Sequence, residues 1–145
     1  MAEELERVEL SKADKVKAGV VDTAVVVAIE GTGLLLAPFT FTLSSVLSSL
    51  VSSAYVSFKD LPGVGLGTRV AGGSIATEGG EAPSLGRMVG RNLPIAGALA
   101  LGALPDPVGL VGLFLASLLL LGDATFLMLT GKRMGDALTG TWVKK

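Results

Sequence analysis

Apolar residues dominate three long windows of the chain in which charged residues are rare. The window at residues 18–58 contains two acidic residues, the window at 92–104 contains no charge, and the window at 105–131 contains two acidic residues. Because a bilayer crossing needs roughly 20 mostly apolar residues, the first window is long enough for two helices. The pattern therefore predicts an all-α bundle of four membrane-embedded helices, at residues 18–37, 39–58, 85–104 and 108–130.

Local signals place the ends of these helices. Ser11 followed by Asp14 resembles an N-cap with an acidic third helical position, so we expect a helix that starts there and continues into the first span. The third span carries its arginines at one end; counted from Asn92 alone, it would be a short, half-inserted helix, and we favour the full span. Gly-Gly pairs in the connector are turn signals. The predicted divisions are an N-terminal tail at 1–14 and a membrane domain at 15–145, with a connector at 59–84 and a tail at 131–145.

The basic residues predict the orientation of the bundle. With four spans and the N-terminus inside, all twelve Lys and Arg residues fall on the cytoplasmic side, as the positive-inside rule expects. The opening "MAEELERVEL" lacks the basic-then-apolar order of a signal peptide, so we expect no cleavage. The sequence thus predicts a multi-pass protein of the cell membrane with both termini in the cytoplasm.

Composition supports a membrane protein and excludes several chemistries. The 145 residues are 50% hydrophobic and 17% charged, with a mean hydropathy of +0.64, which is too apolar for an ordinary soluble domain of this size. The chain has neither cysteine nor histidine. Disulfides, thiolate metal sites, haem held by these residues and a histidine base are therefore excluded. We expect no enzymatic activity, no metal, no cofactor and no nucleic-acid partner.

Serines in the second span occur as pairs spaced four residues apart. On a helix, a row of three serines spaced four residues apart spans about 80°, so the pairs form two adjacent rows. Val and Leu occupy the opposite half. Small hydroxylated residues let helices approach closely and can hydrogen-bond across the contact, which favours a packing face. The alternative is the wall of a polar path. The serines are Ser44, Ser45, Ser48, Ser49, Ser52 and Ser53.

Ionisable residues inside a membrane are costly, so each is a functional candidate. Asp22 lies about one turn inside the first span, and Glu30 lies about 12 Å deeper with no basic residue within several turns of its helix. Asp123 lies about two turns from the cytoplasmic end of the fourth span. Arg91 is the expected counter-ion of Asp22. One interpretation is that Arg91 and Asp22 neutralise each other and fix the helix register; the other is that carboxylates without partners, especially Glu30, bind protons or cations.

The order of several short motifs resembles the RDD family of small integral membrane proteins, named for one arginine and two aspartates. "KVKAGVVD" follows the family's Arg-x-x-Ala-x-x-x-Asp, with Lys15 at the arginine position and Asp22 at the aspartate position. "PSLGRMVGRN" places Arg91 at the family's later arginine. "GDALTGTWV" follows the closing His-Asp-x-x-x-Gly-Thr, with Asp136 at the aspartate and Gly135 in place of histidine.

The connector "GVGLGTRVAGG" follows the family pattern less closely. The resemblance covers nearly the whole chain from Lys15, and it implies a membrane domain for which transport is suspected, with cation–proton exchange proposed for some members. We expect the tail to fold back so that Asp136 meets Arg91. In the connector, Gly63, Gly67 and Gly72 match, whereas Val64, Gly65 and Thr68 replace the family's Gln, Thr and Lys.

Two classes of function follow from these residues. The first is a small transporter or cation/proton exchanger. The alternative is a non-transporting membrane scaffold or accessory subunit that binds a protein partner through the connector and the serine face. A unit of four helices has little interior, so we place any water path between protomers and predict a homo-oligomer in the lipid bilayer. The exchanger would use Asp22, Glu30, Asp123 and Arg91. The full set of candidates for an ion or proton site, or for a structural group of charges, is Lys15, Asp22, Glu30, Arg91, Asp123 and Asp136.

Overall fold

Helices carry most of the chain in the computed structural model, which describes residues 9–40, 42–61 and 66–144. The predicted helical class is confirmed, with the addition of one small sheet. Helices lie in all four segments that the apolar pattern selected, and two short helices lie in the connector and the tail. In chain order the elements are α1 (Lys12–Thr40), α2 (Thr42–Phe58), α3 (Leu66–Val70), β1 (Ser74–Thr77), α4 (Leu85–Leu101), α5 (Val108–Thr130), α6 (Met134–Thr139) and β2 (Thr141–Lys144).

The helix ends follow local chemistry. At the start of α1, the Asp14 backbone N–H donates to Ser11 Oγ at 3.1 Å, as the capping pattern predicts. Ser84 is the N-cap of α4. At the end of α5, Gly131 adopts φ +77°, a left-handed conformation that glycine reaches without strain, and its N–H donates to the Leu127 carbonyl. Local capping residues thus satisfy backbone groups at each of these helix ends.

The four long helices pack in a row, with α2 between α1 and α4, and α5 against α4. The contact between α1 and α5 is much smaller than the other three. Val26, Val56, Ile95 and Leu99 belong to the apolar core between them. A Cβ at Gly33 would clash with the Ser48 side chain, so glycine permits α1 and α2 to approach closely. The loose contact leaves a groove between α1 and α5.

The distribution of apolar and charged side chains is the reverse of a soluble protein's. Leu129 and Leu35 are 79% and 76% exposed, and many other Leu, Val and Phe side chains of the long helices also face outward. Beside its apolar core, the interior contains buried Asp, Lys, Arg and Ser residues. Soluble monomers rarely expose large continuous apolar surfaces or bury so many charges.

Two of the described helices are long and apolar enough to cross a bilayer, one within Lys12–Pro38 and the other at Val108–Thr130. Helices α2 and α4 each have 17 residues. At 1.5 Å per residue each spans about 26 Å, somewhat less than a hydrocarbon core of about 30 Å. The bundle of four membrane spans therefore stays a prediction.

A two-stranded antiparallel sheet ties the connector to the tail. Strand β1 pairs with β2 so that Ile75 lies opposite Val143, and Trp142 Nε1 donates to the Thr77 carbonyl at 2.6 Å. The Leu10 N–H donates to the Val143 carbonyl at 3.0 Å, which adds the segment before α1. The tail is thereby folded back on the same end of the helices as the connector.

Candidate functional site

Charged side chains gather inside the fold at the end where the connector and the tail meet. They come from α1, the end of α2, α4, α5 and α6, so every long helix contributes. Four carboxylates and three cations are joined by ion pairs. This charge cluster consists of Asp22, Lys59, Asp60, Arg91, Asp123, Arg133 and Asp136.

Arg91 lies between two carboxylates in the interior. Its Nε is 2.9 Å from Asp136 Oδ1, and its Nη1 is 3.3 Å from Asp60 Oδ2. Neither contact has the alignment of a hydrogen bond, so both are ion pairs by proximity alone. Asn92 Nδ2 donates to Asp60 Oδ2, whereas Asp60 Oδ1 has no hydrogen-bond partner among the described residues. The structure places Asp136 against Arg91, the arrangement expected from the sequence.

Gly135 makes the contact between the tail and α4 sterically feasible. A Cβ at this position would clash with the backbone carbonyl and the side chain of Arg91. Thr141 Oγ1 donates to Asp136 Oδ1 at 3.1 Å, and the Arg133 backbone N–H donates to Asp136 Oδ2 at 3.3 Å. Asp136 thus fixes the short helix α6 while it neutralises Arg91.

Asp22 has a different counter-ion from the one expected. Lys59 Nζ lies 3.0 Å from Asp22 Oδ2, while the Tyr55 hydroxyl and the Gly67 N–H donate to Oδ1 at 3.0 and 2.9 Å. The prediction that Arg91 neutralises Asp22 is therefore wrong. Lys59 ends the helix packed directly on α1, and Arg91 is already held by two other carboxylates.

Asp123 and Lys15 each have partners of their own. Asp123 Oδ2 accepts from Arg133 Nε at 2.9 Å, and its Oδ1 accepts from the Met134 N–H at 2.8 Å. Lys15 pairs with Glu9 and donates to the Gly131 carbonyl at 2.9 Å. A cation at a helix C-terminus is favourable because it meets the negative end of the helix dipole. Lys15 thus joins α1 to the end of α5 and contacts none of the cluster aspartates.

Burial and neighbouring charges shift the pKa values of the cluster residues outside the predicted spans. Burial lowers the pKa of Lys59, and the nearby Arg133 lowers it further, against the opposing effect of Asp60 and Asp22. For Asp60, burial acts to raise the pKa, but Arg91, Lys59 and Arg133 together hold it below its usual value. Burial acts to lower the pKa of Arg133, but Asp123 and Asp60 raise it. The charged forms of Asp60 and Arg133 are thus stabilised by the cluster.

Glu30 lies on the same helix as Asp22, in a different environment. Its Oε2 accepts a hydrogen bond from Ser48 Oγ at 3.1 Å, and its Oε1 has no hydrogen-bond partner among the described residues. No Lys or Arg of the described chain forms an ion pair with it. The carboxyl group lines a cavity of about 420 Å³ between α1, α2, α4 and α5, together with Ser48 and Ser49.

The serine rows lie on the interior side of α2. The Ser53 hydroxyl donates to the Ala96 carbonyl of α4 at 2.8 Å, and Ser48 faces Gly33 of α1. Leu47, Leu50 and Val51 are exposed on the opposite side. The rows thus separate α1 from α4, and part of them lines the cavity at Glu30. Ser44, Ser48, Ser49 and Ser52 are buried, Ser53 is half-buried and Ser45 is exposed.

Several residues of the charge cluster were not selected from the sequence. Lys59 and Asp60 end an apolar run, which usually indicates a helix end at the membrane surface, and Arg133 follows another such end. Asn92 carries no charge and gives no signal by itself. The three candidate aspartates outnumber the two candidate cations, Lys15 and Arg91, and this excess of carboxylates is a signal for further cations in the interior.

The described part of the chain contains no group of three or more Asp or Glu residues arranged to hold a metal ion. The chain matches no protein-family model, and comparison with curated proteins and with solved structures gives no match. Membership of the RDD family therefore stays a prediction. Of the residues on which it rests, Gly63, Val64 and Gly65 lie outside the described residues.

Proposed function

We propose that the chain is a multi-pass membrane protein that exchanges a cation for a proton, with the Glu30 carboxylate as the group that binds either one. The observation that carries this proposal is the contrast in pairing. Each aspartate of the charge cluster contacts a cation, whereas Glu30 contacts no described cation and lines a cavity. An ionisable group kept inside a membrane without a partner is costly and is typical of an ion or proton pathway.

Several observations support the membrane part of the proposal. The outward faces of the long helices are apolar, and α1 and α5 are long enough to cross a bilayer. In the proposed arrangement α2 and α4 cross as well, both termini are cytoplasmic, and the charge cluster lies at the cytoplasmic end. The likeness to the RDD motifs agrees with this arrangement. The water path would be completed by a second copy of the chain.

Exchange follows from the chemistry of a single carboxylate. Glu30 can hold a proton or neutralise a cation, but it cannot do both, so binding of one releases the other. The Ser48 hydroxyl, which donates to Oε2 at 3.1 Å, stabilises the ionised form and can rotate to accept from the protonated form. The charge cluster has a structural role here, because its ion pairs hold the helix ends around the cavity.

Reconstitution into liposomes tests this function. The purified protein is placed in vesicles that contain a pH-sensitive dye, and pulses of sodium, potassium or an organic monocation are applied outside. We expect cation-dependent proton movement that Glu30→Gln abolishes while the protein stays folded. Glu81→Gln removes the same charge at an exposed position of the connector and should leave the flux unchanged. Absence of flux with all cations, or equal flux in both variants, would favour the scaffold or accessory-subunit alternative.

Because the chain lacks cysteine, its orientation can be tested with single introduced thiols. Asp106 lies in the turn before α5, and Ser74 lies in β1; both are exposed. In intact cells, a cysteine at position 106 should react with a membrane-impermeant reagent, whereas a cysteine at position 74 should react only after lysis. The opposite labelling pattern would reverse the proposed orientation.

A further inference from the structure

The groove between α1 and α5 contains the cavity at Glu30. Two cavities of about 420 Å³ each lie along it, and both are lined by Val27 and Leu120. One reaches Asp123, which is already paired with Arg133 at 2.9 Å. The other contains Glu30, whose Oε1 has no partner among the described residues. The groove therefore contains one carboxylate without a cation partner among the described residues, and this carboxylate is Glu30.

The lining of the Glu30 cavity is poorly suited to a bare metal ion. A dehydrated inorganic cation needs several oxygen ligands to replace its water shell. The cavity of about 420 Å³ is far wider than one such ion, so its polar wall, which consists of Glu30 and four serines (Ser45, Ser48, Ser49 and Ser117), cannot close around it. The remaining wall is mainly Val, Leu, Ala and Gly: Val26, Val27, Leu34, Leu99 and Ala116 are among its residues.

An organic cation has the opposite requirements. Its charge is spread over a larger body and needs one counter-charge. Transfer of its apolar part out of water is favourable. A volume of about 420 Å³ lies within the usual range of small-molecule sites, roughly 300–1,000 Å³. A neutral lipid tail would fill the apolar part and leave an ionised Glu30 without a counter-charge, so charge complementarity with the ionised carboxylate favours the organic cation over the tail.

We infer that the α1–α5 groove at Glu30 binds an organic monocation with an apolar body. The inference deepens the proposed exchange function, on which it rests, by naming the class of cation, and binding can be measured without transport. Gly31 also lines the cavity, and a Cβ there would meet no atom within 4 Å. A large side chain at Gly31 would therefore occupy the groove without disturbing the helix packing.

Equilibrium dialysis of the detergent-solubilised protein tests the inference with two probes of matched shape. Tetraphenylphosphonium carries one positive charge, and tetraphenylborate is its anionic counterpart. We expect Glu30→Gln to weaken tetraphenylphosphonium binding at least tenfold without weakening tetraphenylborate binding. Glu81→Gln should change neither. Gly31→Phe should abolish tetraphenylphosphonium binding, whereas Gly97→Phe, at an exposed position of α4 that also has open space, should not.

Three other outcomes overturn the inference, and a fourth overturns only the proposed function. Equal uptake of both probes that does not depend on Glu30 would show only partition of apolar molecules, as expected if lipid or detergent fills the groove. Unchanged binding in Gly31→Phe would place the site elsewhere. Glu30-dependent exchange of sodium or potassium without tetraphenylphosphonium binding would leave the proposed function intact and remove this inference. Binding of tetraphenylphosphonium without any cation-dependent proton movement would remove the proposed function and leave this inference intact.

Discussion

Helix α1 carries two interior acidic residues with opposite surroundings. Asp22 accepts from Tyr55 and Gly67 and contacts Lys59 at 3.0 Å. Glu30 lies eight residues further along the same helix. Among the described residues its carboxylate accepts a hydrogen bond only from the Ser48 hydroxyl, at 3.1 Å. Burying a charge is costly, and a counter-ion together with hydrogen bonds offsets the cost. Asp22 thus has both a counter-ion and backbone and side-chain donors, whereas Glu30 has no counter-ion among the described residues.

The difference in pairing separates the structural role of Asp22 from the functional role proposed for Glu30. An ion pair that is fully neutralised inside the fold holds helices in register and has little capacity to bind anything else. A carboxylate without a cation, beside a cavity, can take up a proton or a ligand. The charge cluster and Glu30 should therefore respond differently to substitution: the first in stability, the second in binding and transport. The following experiments test this separation.

Arg91→Leu should have the largest effect on stability. The change leaves Asp60 and Asp136 buried without their shared cation, and an uncompensated buried charge costs about 3–5 kcal/mol. Unfolding of the protein in detergent should shift accordingly. Arg87→Leu is the matched control, because Arg87 lies one turn earlier on α4 and is exposed.

Double variants identify the partner of Arg91. Arg91→Leu with Asp136→Asn should recover part of the lost stability, whereas Arg91→Leu with Asp22→Asn should recover none, since Asp22 contacts Lys59. If Asp22→Asn, and not Asp136→Asn, recovered stability in the Arg91→Leu background, that result would contradict the pairing seen in the structure.

Lys59→Met should cost less, about 1–3 kcal/mol. Asp22 keeps its hydrogen bonds from Tyr55 and Gly67, and burial, which lowers the pKa of Lys59, no longer acts against a charged side chain. Lys59→Met with Asp22→Asn should return close to the wild-type stability. The exposed Lys17→Met provides the control in the same denaturation assay. A loss as large as that of Arg91→Leu would show that the hydrogen bonds do not support Asp22.

Acid should weaken the charge cluster through Asp60. Its neighbours hold the pKa of Asp60 in the folded protein below the ordinary value of 3.8, so the unfolded chain binds the proton first as the pH falls. The stabilisation from Asp60 is therefore complete above pH 3.8 and is lost as the pH falls through the folded-state pKa. Asp60→Asn should be less stable at neutral pH and should depend less on pH in that acid window.

The control for the acid experiment is Asp106→Asn, which removes an exposed carboxylate. Its unfolding curves should keep the wild-type dependence on pH. If Asp60→Asn kept that dependence as well, the acid sensitivity would belong to other carboxylates of the cluster.

Glu30→Gln should have the smallest effect on stability, below about 1 kcal/mol, because no ion pair is lost and an amide oxygen can still accept from Ser48. Thermal unfolding should be nearly unchanged while cation-dependent proton movement disappears. A destabilisation comparable to that of Arg91→Leu would remove the distinction between the two regions and make Glu30 a structural residue.

The spacing of apolar residues was sufficient to find the helical segments. Period and length are local properties, so the four long helices and the cap at Ser11 followed from the sequence. The outward direction of Leu47 and Leu50, opposite the serines, followed from the helical repeat alone. The absence of histidine and cysteine also excluded whole classes of chemistry from composition.

The counter-ions were decided only by the tertiary structure. Asp22 and Asp123 were identified as candidates from the cost of burying charge, and Asp136 from the resemblance to the RDD motifs, but the cations that neutralise them come from other helices or from the tail. Which cation reaches which carboxylate depends on helix order and rotation, which a single sequence does not encode in any local pattern. Lys59 pairs with Asp22 because α2 packs directly on α1. Arg91 pairs with Asp60 and Asp136 because the end of α2 and the short helix α6 both pack against α4. The same packing, by leaving α1 and α5 in loose contact, created the groove at Glu30.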